Sequence, residues 1–165
     1  MTKIIVLTII IIVGIGLAIL RFQRSRVIRP QFKSTQEQME YLAAEAVKMA
    51  NQNFSVQLDY SPASIEQLEK VLGQLHDEYV RTKPTEGVNG LAMAYGAYIG
   101  EVIRRSESNV RWERSDTFGG ENSYPLIWNG GSSYVCAWCY RRITNGDEDN
   151  VWFKYKGIKE RAWKR

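Results

Sequence analysis

Histidine is almost absent from this sequence, since His76 is the only one in 165 residues. A histidine-dependent catalytic triad, a histidine-rich metal site and the His-Glu-x-x-His motif are therefore nearly excluded. No group of glycines has the spacing of a phosphate-binding loop or of a dinucleotide-binding turn. The sequence lacks the signatures of several large enzyme classes, and we expect no cofactor.

Cysteine is scarce too, because Cys136 and Cys139 are the only two. Their spacing would suit a redox pair or half of a zinc site. A zinc site needs about four ligands, and only His76 could join the two thiols as a typical partner. The pair also falls in an apparent strand, where side chains three residues apart point to opposite faces. We expect buried, reduced core cysteines, while a disulfide in a periplasmic domain stays an alternative.

Acidic residues are missing from the first 33 positions, which hold six basic ones. Residues 154–165 hold another six basic residues and one acid, whereas residues 34–153 hold 10 basic and 17 acidic residues. The net charge of +4 therefore comes from the two flanks, and the body of the chain is acidic. This distribution argues against nucleic-acid binding, which needs a basic face on the folded domain.

The one long apolar run covers residues 4–20, and Thr8 is its only polar member. As a helix it would be about 25 Å long, enough to cross a bilayer core. A cleaved signal peptide should be followed by small residues, but arginines follow here. We predict a retained transmembrane helix, with residues 1–33 as anchor and tether and residues 34–165 as one domain.

The flanking charges predict how the anchor is oriented. Four arginines follow the apolar run within nine residues, and Lys3 with the α-amino group precedes it. Positive charge collects on the cytoplasmic side, so the domain is predicted to lie in the cytoplasm at the inner membrane as a single-pass protein. The same side chains could bind anionic lipid: Arg21, Arg24, Arg26 and Arg29.

Apolar residues at helical spacing predict three helices, over about residues 35–52, 62–81 and 89–105. A capping box at Ser34 and Glu37, or at Thr35 and Gln38, would start the first helix. Strands are predicted from alternation near residues 54–58, 110–114, 124–128, 133–143 and 151–156, with a hairpin turn at Asn145. The predicted fold class is α+β: three helices packed on an antiparallel sheet of four to five strands.

Glu101 is the most interesting carboxylate, because it borders an apolar helix face three residues after Tyr98 and just before Arg104 and Arg105. Such a group could bind a ligand or polarise water. It could equally form an ordinary ion pair along the helix edge. Trp112, with the other aromatic residues, could supply an anchor for a protein partner. These five residues are the candidate binding residues, and no catalytic or metal site is assigned.

The stretch from Gly96 to Arg105, GAYIGEVIRR, is followed by Trp112. Together with Leu58–Pro62 and Ser64–Leu68, it resembles a loosely defined family of small uncharacterised bacterial domains with a GAYxGEVxRR…W signature. The resemblance covers about residues 54–156 and implies helices followed by antiparallel strands in a bacterial protein. It implies no activity, but it adds weight to Tyr98, Glu101 and Trp112.

These observations predict a membrane-anchored, non-enzymatic interaction or regulatory protein that binds the bilayer and another protein. An inhibitor or immunity-type binder is one concrete form of this hypothesis. The alternative is a ligand sensor or hydrolase centred on Glu101 with its tyrosine and arginine neighbours.

Overall fold

The computed structural model describes residues 31–84, 86–128 and 131–162. The predicted anchor and its arginines (Arg21, Arg24, Arg26 and Arg29) lie outside these residues. Within the described ranges, no helix is both long and apolar enough to cross a membrane.

The described residues contain five α-helices and one short 3-10 turn. The helices are α1 Thr35–Phe54, α2 Ser64–Thr82, α3 Val88–Ser106, α4 Val135–Asn145 and α5 Val151–Ala162. The 3-10 turn, Asp147–Asp149, joins α4 to α5. The first three helices lie close to their predicted bounds, and Ser34 caps α1 by accepting the Glu37 N–H at 3.1 Å.

The sheet is small: its strands are β1 Arg111–Trp112, β2 Leu126–Trp128 and β3 Gly131–Ser133. They pair antiparallel in the order β1-β2-β3. The predicted α+β class is therefore wrong, since the described domain is mostly helical and carries only this three-stranded sheet.

The last two predicted strands are helices. Residues 133–143 fall mainly in α4, and residues 151–156 fall in α5. The buried residues of α4 have a helical spacing: Val135, Cys136, Cys139, Arg142 and Ile143. In a short run rich in aromatic and β-branched residues, periodicity alone does not tell a strand from a helix. Here tertiary packing selected the helix.

Two other sequence signals were also misinterpreted. Residues 55–59 have no regular secondary structure, although Leu58 is buried as the alternation predicted. Alternation reports one buried face, whereas a strand also needs a hydrogen-bonded neighbour. Gly146 does not form the predicted hairpin turn but ends α4. Its φ of +99° would be strained for any residue with a Cβ.

Helix α3 is the centre of the domain, and its middle is buried on all sides between α1 and α4. Two glycines allow the close approach. A Cβ at Gly96 would lie 2.4 Å from the Cα of Cys136, and one at Gly100 would lie 2.0 Å from the ring of Trp112. Gly96 and Gly100, four residues apart on α3, thus pack against α4 and β1 of the same domain.

We predict that Gly100→Ala lowers the free energy of unfolding by at least about 2 kcal/mol, because the new methyl group overlaps the buried Trp112 ring. Gly157→Ala is the matched control, since nothing lies within 4 Å of a Cβ there. In a helix this change should stabilise by roughly 0.5–1 kcal/mol. Urea unfolding of the detergent-solubilised chain measures both, and equal effects would contradict the proposed close contact.

Candidate functional site

Glu101 lies inside the protein, not at the edge of its helix. Its side chain has no exposed surface, and it forms an ion pair with Arg104. A buried carboxylate needs hydrogen-bond donors on all sides to offset the loss of water. The surrounding elements supply them.

Three side chains donate to the Glu101 carboxylate. Arg104, one turn later on α3, donates from Nε at 3.0 Å and from Nη2 at 2.8 Å. Trp112 of β1 donates its indole N–H at 3.1 Å, and Gln36 of α1 donates its amide at 3.2 Å. Arg104 also bridges to Glu40 of α1 at 2.9 Å. We call Gln36, Glu40, Glu101, Arg104 and Trp112 the Glu101 cluster.

This geometry favours a structural role for the Glu101 cluster. Both carboxylate oxygens accept hydrogen bonds from the protein, and the side chain has no surface through which a ligand or water could reach it. The hydrogen bonds that Arg104 donates to Glu101 also raise the pKa of Arg104. The cluster joins α1, α3 and β1.

Tyr98 and Arg105 belong to a second group beside the first. The Tyr98 hydroxyl lies 2.5 Å from Ser64 Oγ and accepts the Tyr60 N–H at 2.8 Å. The Arg105 guanidinium stacks on the Tyr60 ring at 3.5 Å from its centroid. Burial raises the pKa of both tyrosines. These contacts hold the connection between α1 and α2, in which Tyr60 has φ +63°.

The five sequence-predicted binding residues therefore form two packed groups and do not line a common cavity. A surface cleft of about 560 Å³ lies elsewhere, past the end of α3, with Asn109, Arg111 and Trp128 in its wall. In the described part of the chain, no three His, Cys, Asp or Glu side chains are grouped to hold a metal ion.

The cysteines lie in the first turns of α4, not on a strand, and both are buried and free. A helix N-terminus usually favours a thiolate. Burial has the larger effect here: it raises the pKa of Cys136 to about 12 and that of Cys139 well above its ordinary value. The prediction that both cysteines are buried thiols agrees with the structure. The reason given for it, that the pair lies on a strand, was wrong.

Sequence analysis missed a buried ion pair between Glu69 of α2 and Arg142 of α4. Glu69 also accepts the Val151 N–H at 2.8 Å, and Arg142 donates to Asp147 at 2.7 Å. The pair thus connects α2, α4 and the start of α5. The signal in the sequence was the spacing of Cys136, Cys139 and Arg142, which places all three on one face of a helix. The strand interpretation of this segment hid that signal.

The most exposed aromatic side chain among the described residues belongs to a phenylalanine and not to a tryptophan. Trp112 and Trp128 are buried, and Trp138 and Trp152 are half-buried. Phe118, in the loop between β1 and β2, is 93% exposed. The two glycines that follow it predict a turn or loop, but a loop position alone does not say how far the ring is exposed.

The loop that carries Phe118 is held by hydrogen bonds on both sides. Asp116 accepts the Gly119 N–H at 2.6 Å and the Tyr134 hydroxyl at 2.7 Å. These bonds lower the pKa of Asp116, the Gly119 amide contributing most. Arg114 donates to Asn122 at 2.9 Å across the base of the loop. Phe118 is thus presented on a fixed loop; we call residues 114–124 the Phe118 loop.

No protein-family model matches this chain, and neither a curated protein nor a solved structure matches it. The resemblance to small bacterial domains therefore stays a prediction from the quoted motifs.

We predict that Glu101→Gln destabilises the domain by about 3 kcal/mol, because its N–H₂ group would face a donor in place of an oxygen that now accepts, and Arg104 would lose its buried ionic partner. Glu40→Gln is the control, since it removes only the exposed partner of Arg104 and should cost less than about 1 kcal/mol. Urea unfolding curves give both values. Equal losses would mean that the buried carboxylate has no special structural role.

We also predict that Cys136 and Cys139 resist alkylation in the folded protein, because burial excludes the reagent and keeps both thiols protonated. Iodoacetamide treatment followed by intact-protein mass spectrometry should show no adduct before unfolding and two adducts in denaturant. Two adducts on the folded protein would contradict the burial of the pair. No adduct even in denaturant would indicate a disulfide.

Proposed function

We propose that this chain is a membrane-tethered, non-enzymatic interaction protein, whose domain binds another protein through the Phe118 loop. The observation that carries the proposal is a phenylalanine side chain 93% exposed on a loop held by hydrogen bonds. Large apolar side chains are costly to leave in water, and one presented singly on an ordered loop is a suitable binding anchor.

Because the loop has a fixed conformation, a binding role explains the exposure of Phe118 better than chance does. A partner that buries Phe118 does not have to order the loop first, because Asp116, Tyr134 and the Arg114–Asn122 bond already hold it. Preorganisation of this kind lowers the entropic cost of association. Its neighbours along the loop are polar, as are residues in the rim of a typical protein interface: Asp116, Thr117, Glu121 and Asn122.

The alternative, a sensor or hydrolase centred on Glu101, has less support. A ligand site or general base needs an accessible carboxylate beside a cavity. Glu101 is enclosed and paired with Arg104 and Trp112. The exposed phenylalanine is therefore the stronger starting point for an experiment.

We predict that a photo-reactive benzoylphenylalanine at position 118 forms a discrete protein adduct in cells that make the full chain. The same probe at Val80, which is 54% exposed on α2, is the control and should form none. With the partner identified and purified, Phe118→Ser should weaken binding by at least about tenfold, because a buried aromatic anchor commonly contributes more than 1.4 kcal/mol.

An absence of protein adducts from position 118, or equal adducts from position 80, would contradict the proposal. So would equal affinity of the Phe118→Ser variant. Asp116→Asn provides a further comparison, since it keeps the phenylalanine but weakens the bonds to Gly119 and Tyr134. Its effect on affinity should fall between the wild type and Phe118→Ser.

A further inference from the structure

The small sheet has an outward face besides the face that packs on α3. The strand register places Arg111 opposite Ile127, and Ile127 opposite Ser132. Residues opposite one another on neighbouring strands share a face of the sheet. The next row contains Trp112 and Leu126, which are buried, with Trp112 against α3. Arg111, Ile127 and Ser132 therefore face outward, and we call them the outer row.

All three residues of the outer row line the surface cleft of about 560 Å³, a volume typical of ligand sites. Ser108 and Asn109, which connect α3 to β1, line it too. The wall thus contains hydroxyl, amide and guanidinium groups beside Ile127 and Trp128. These polar groups can all donate hydrogen bonds to an acceptor in the cleft.

The charge of the cleft is opposite to that of the domain around it. Residues 34–153 hold 10 basic and 17 acidic residues, yet the described wall of the cleft includes Arg111 and no acid. Arg111 forms an exposed ion pair with Glu113, with Nε 3.0 Å from Oε1. Such a pair is weak and uses one side of the guanidinium, so an anion in the cleft can bind the other side or displace Glu113.

The cleft adjoins the Phe118 loop. The pKa of Asp116 is lowered chiefly by the Gly119 amide and the Tyr134 hydroxyl, and to a smaller extent by Ser132, which lies beside the carboxylate. Tyr134, two residues after Ser132, has its ring against the loop, since a Cβ at Gly119 would lie 2.4 Å from its Cε1. A partner that covers Phe118 therefore lies next to the cleft.

We propose that this cleft receives an acidic side chain, aspartate or glutamate, of the same partner protein that buries Phe118. The inference rests on the proposed function and describes its partner more closely. The carboxylate of the partner accepts hydrogen bonds from Arg111 and from the polar side chains of Ser108, Asn109 and Ser132. A charge-assisted contact of this kind fixes the orientation of a partner whose apolar contact is Phe118.

The first test uses defined probes on the purified full chain in detergent. The probes are N-acetyl-glutamate N-methylamide and its neutral analogue, N-acetyl-glutamine N-methylamide. The tryptophans are replaced by 5-fluorotryptophan, and NMR follows the fluorine signal of Trp128, which lies in the cleft wall. Trp112, buried against α3, is the internal reference.

We expect only the acid to shift the Trp128 signal, saturably and in the millimolar range. Arg111→Gln should weaken this binding by at least about fivefold, because it removes the charge that attracts the carboxylate. Glu113→Gln should tighten it by about twofold or more, because the competing carboxylate is gone. Lys70→Gln, a change of the same charge at an exposed position of α2, should leave it unchanged.

The second test uses cells that make the full chain with benzoylphenylalanine at position 118. Arg111→Glu should lower the yield of the partner adduct by at least about fivefold, because the cleft then repels the acidic side chain. Lys70→Glu is the matched control and should leave the yield unchanged.

Equal responses to the acid and its amide, or equal binding by Arg111→Gln, would overturn the carboxylate site. An unchanged adduct yield in Arg111→Glu would overturn the inference and leave the Phe118 anchor standing. A missing adduct in the parent protein overturns the proposed function, and this inference falls with it. Acid binding beside Trp128 would in that case identify a small free acid as the ligand.

Discussion

The pairing of Glu101 is the interaction on which the arrangement of the domain depends. A carboxylate without exposed surface at the centre of a helical domain is tolerated only if donors surround it, and here they come from three different elements. Gln36 holds the start of α1, Trp112 holds β1, and Arg104 connects α3 to Glu40. Because Gly100 lets the Trp112 ring lie against α3, apolar packing and charge pairing depend on each other at this point.

A second buried ion pair, Glu69 with Arg142, joins the helices in the other half of the domain. Glu69 accepts the first amide of α5, so the ion pair also sets where the last helix begins. From there α5 extends to the end of α3, where Lys159 forms an ion pair with Glu107. The two buried carboxylates thus join the helices and β1 into one domain.

The first three helices were predictable from sequence, because long segments with a 3.6-residue period specify a helix locally. Ser34 also caps the first of them. The charge distribution and the burial of Cys136 and Cys139 were predictable as well. Strands β1 and β2 lie within the predicted strands 110–114 and 124–128. Helices α4 and α5 were not predicted, since short runs of bulky residues suit either structure until the Glu69–Arg142 pair and the surface of α3 select the helix. Only the tertiary structure buried Glu101 and exposed Phe118, because a residue's exposure depends on which distant elements cover it.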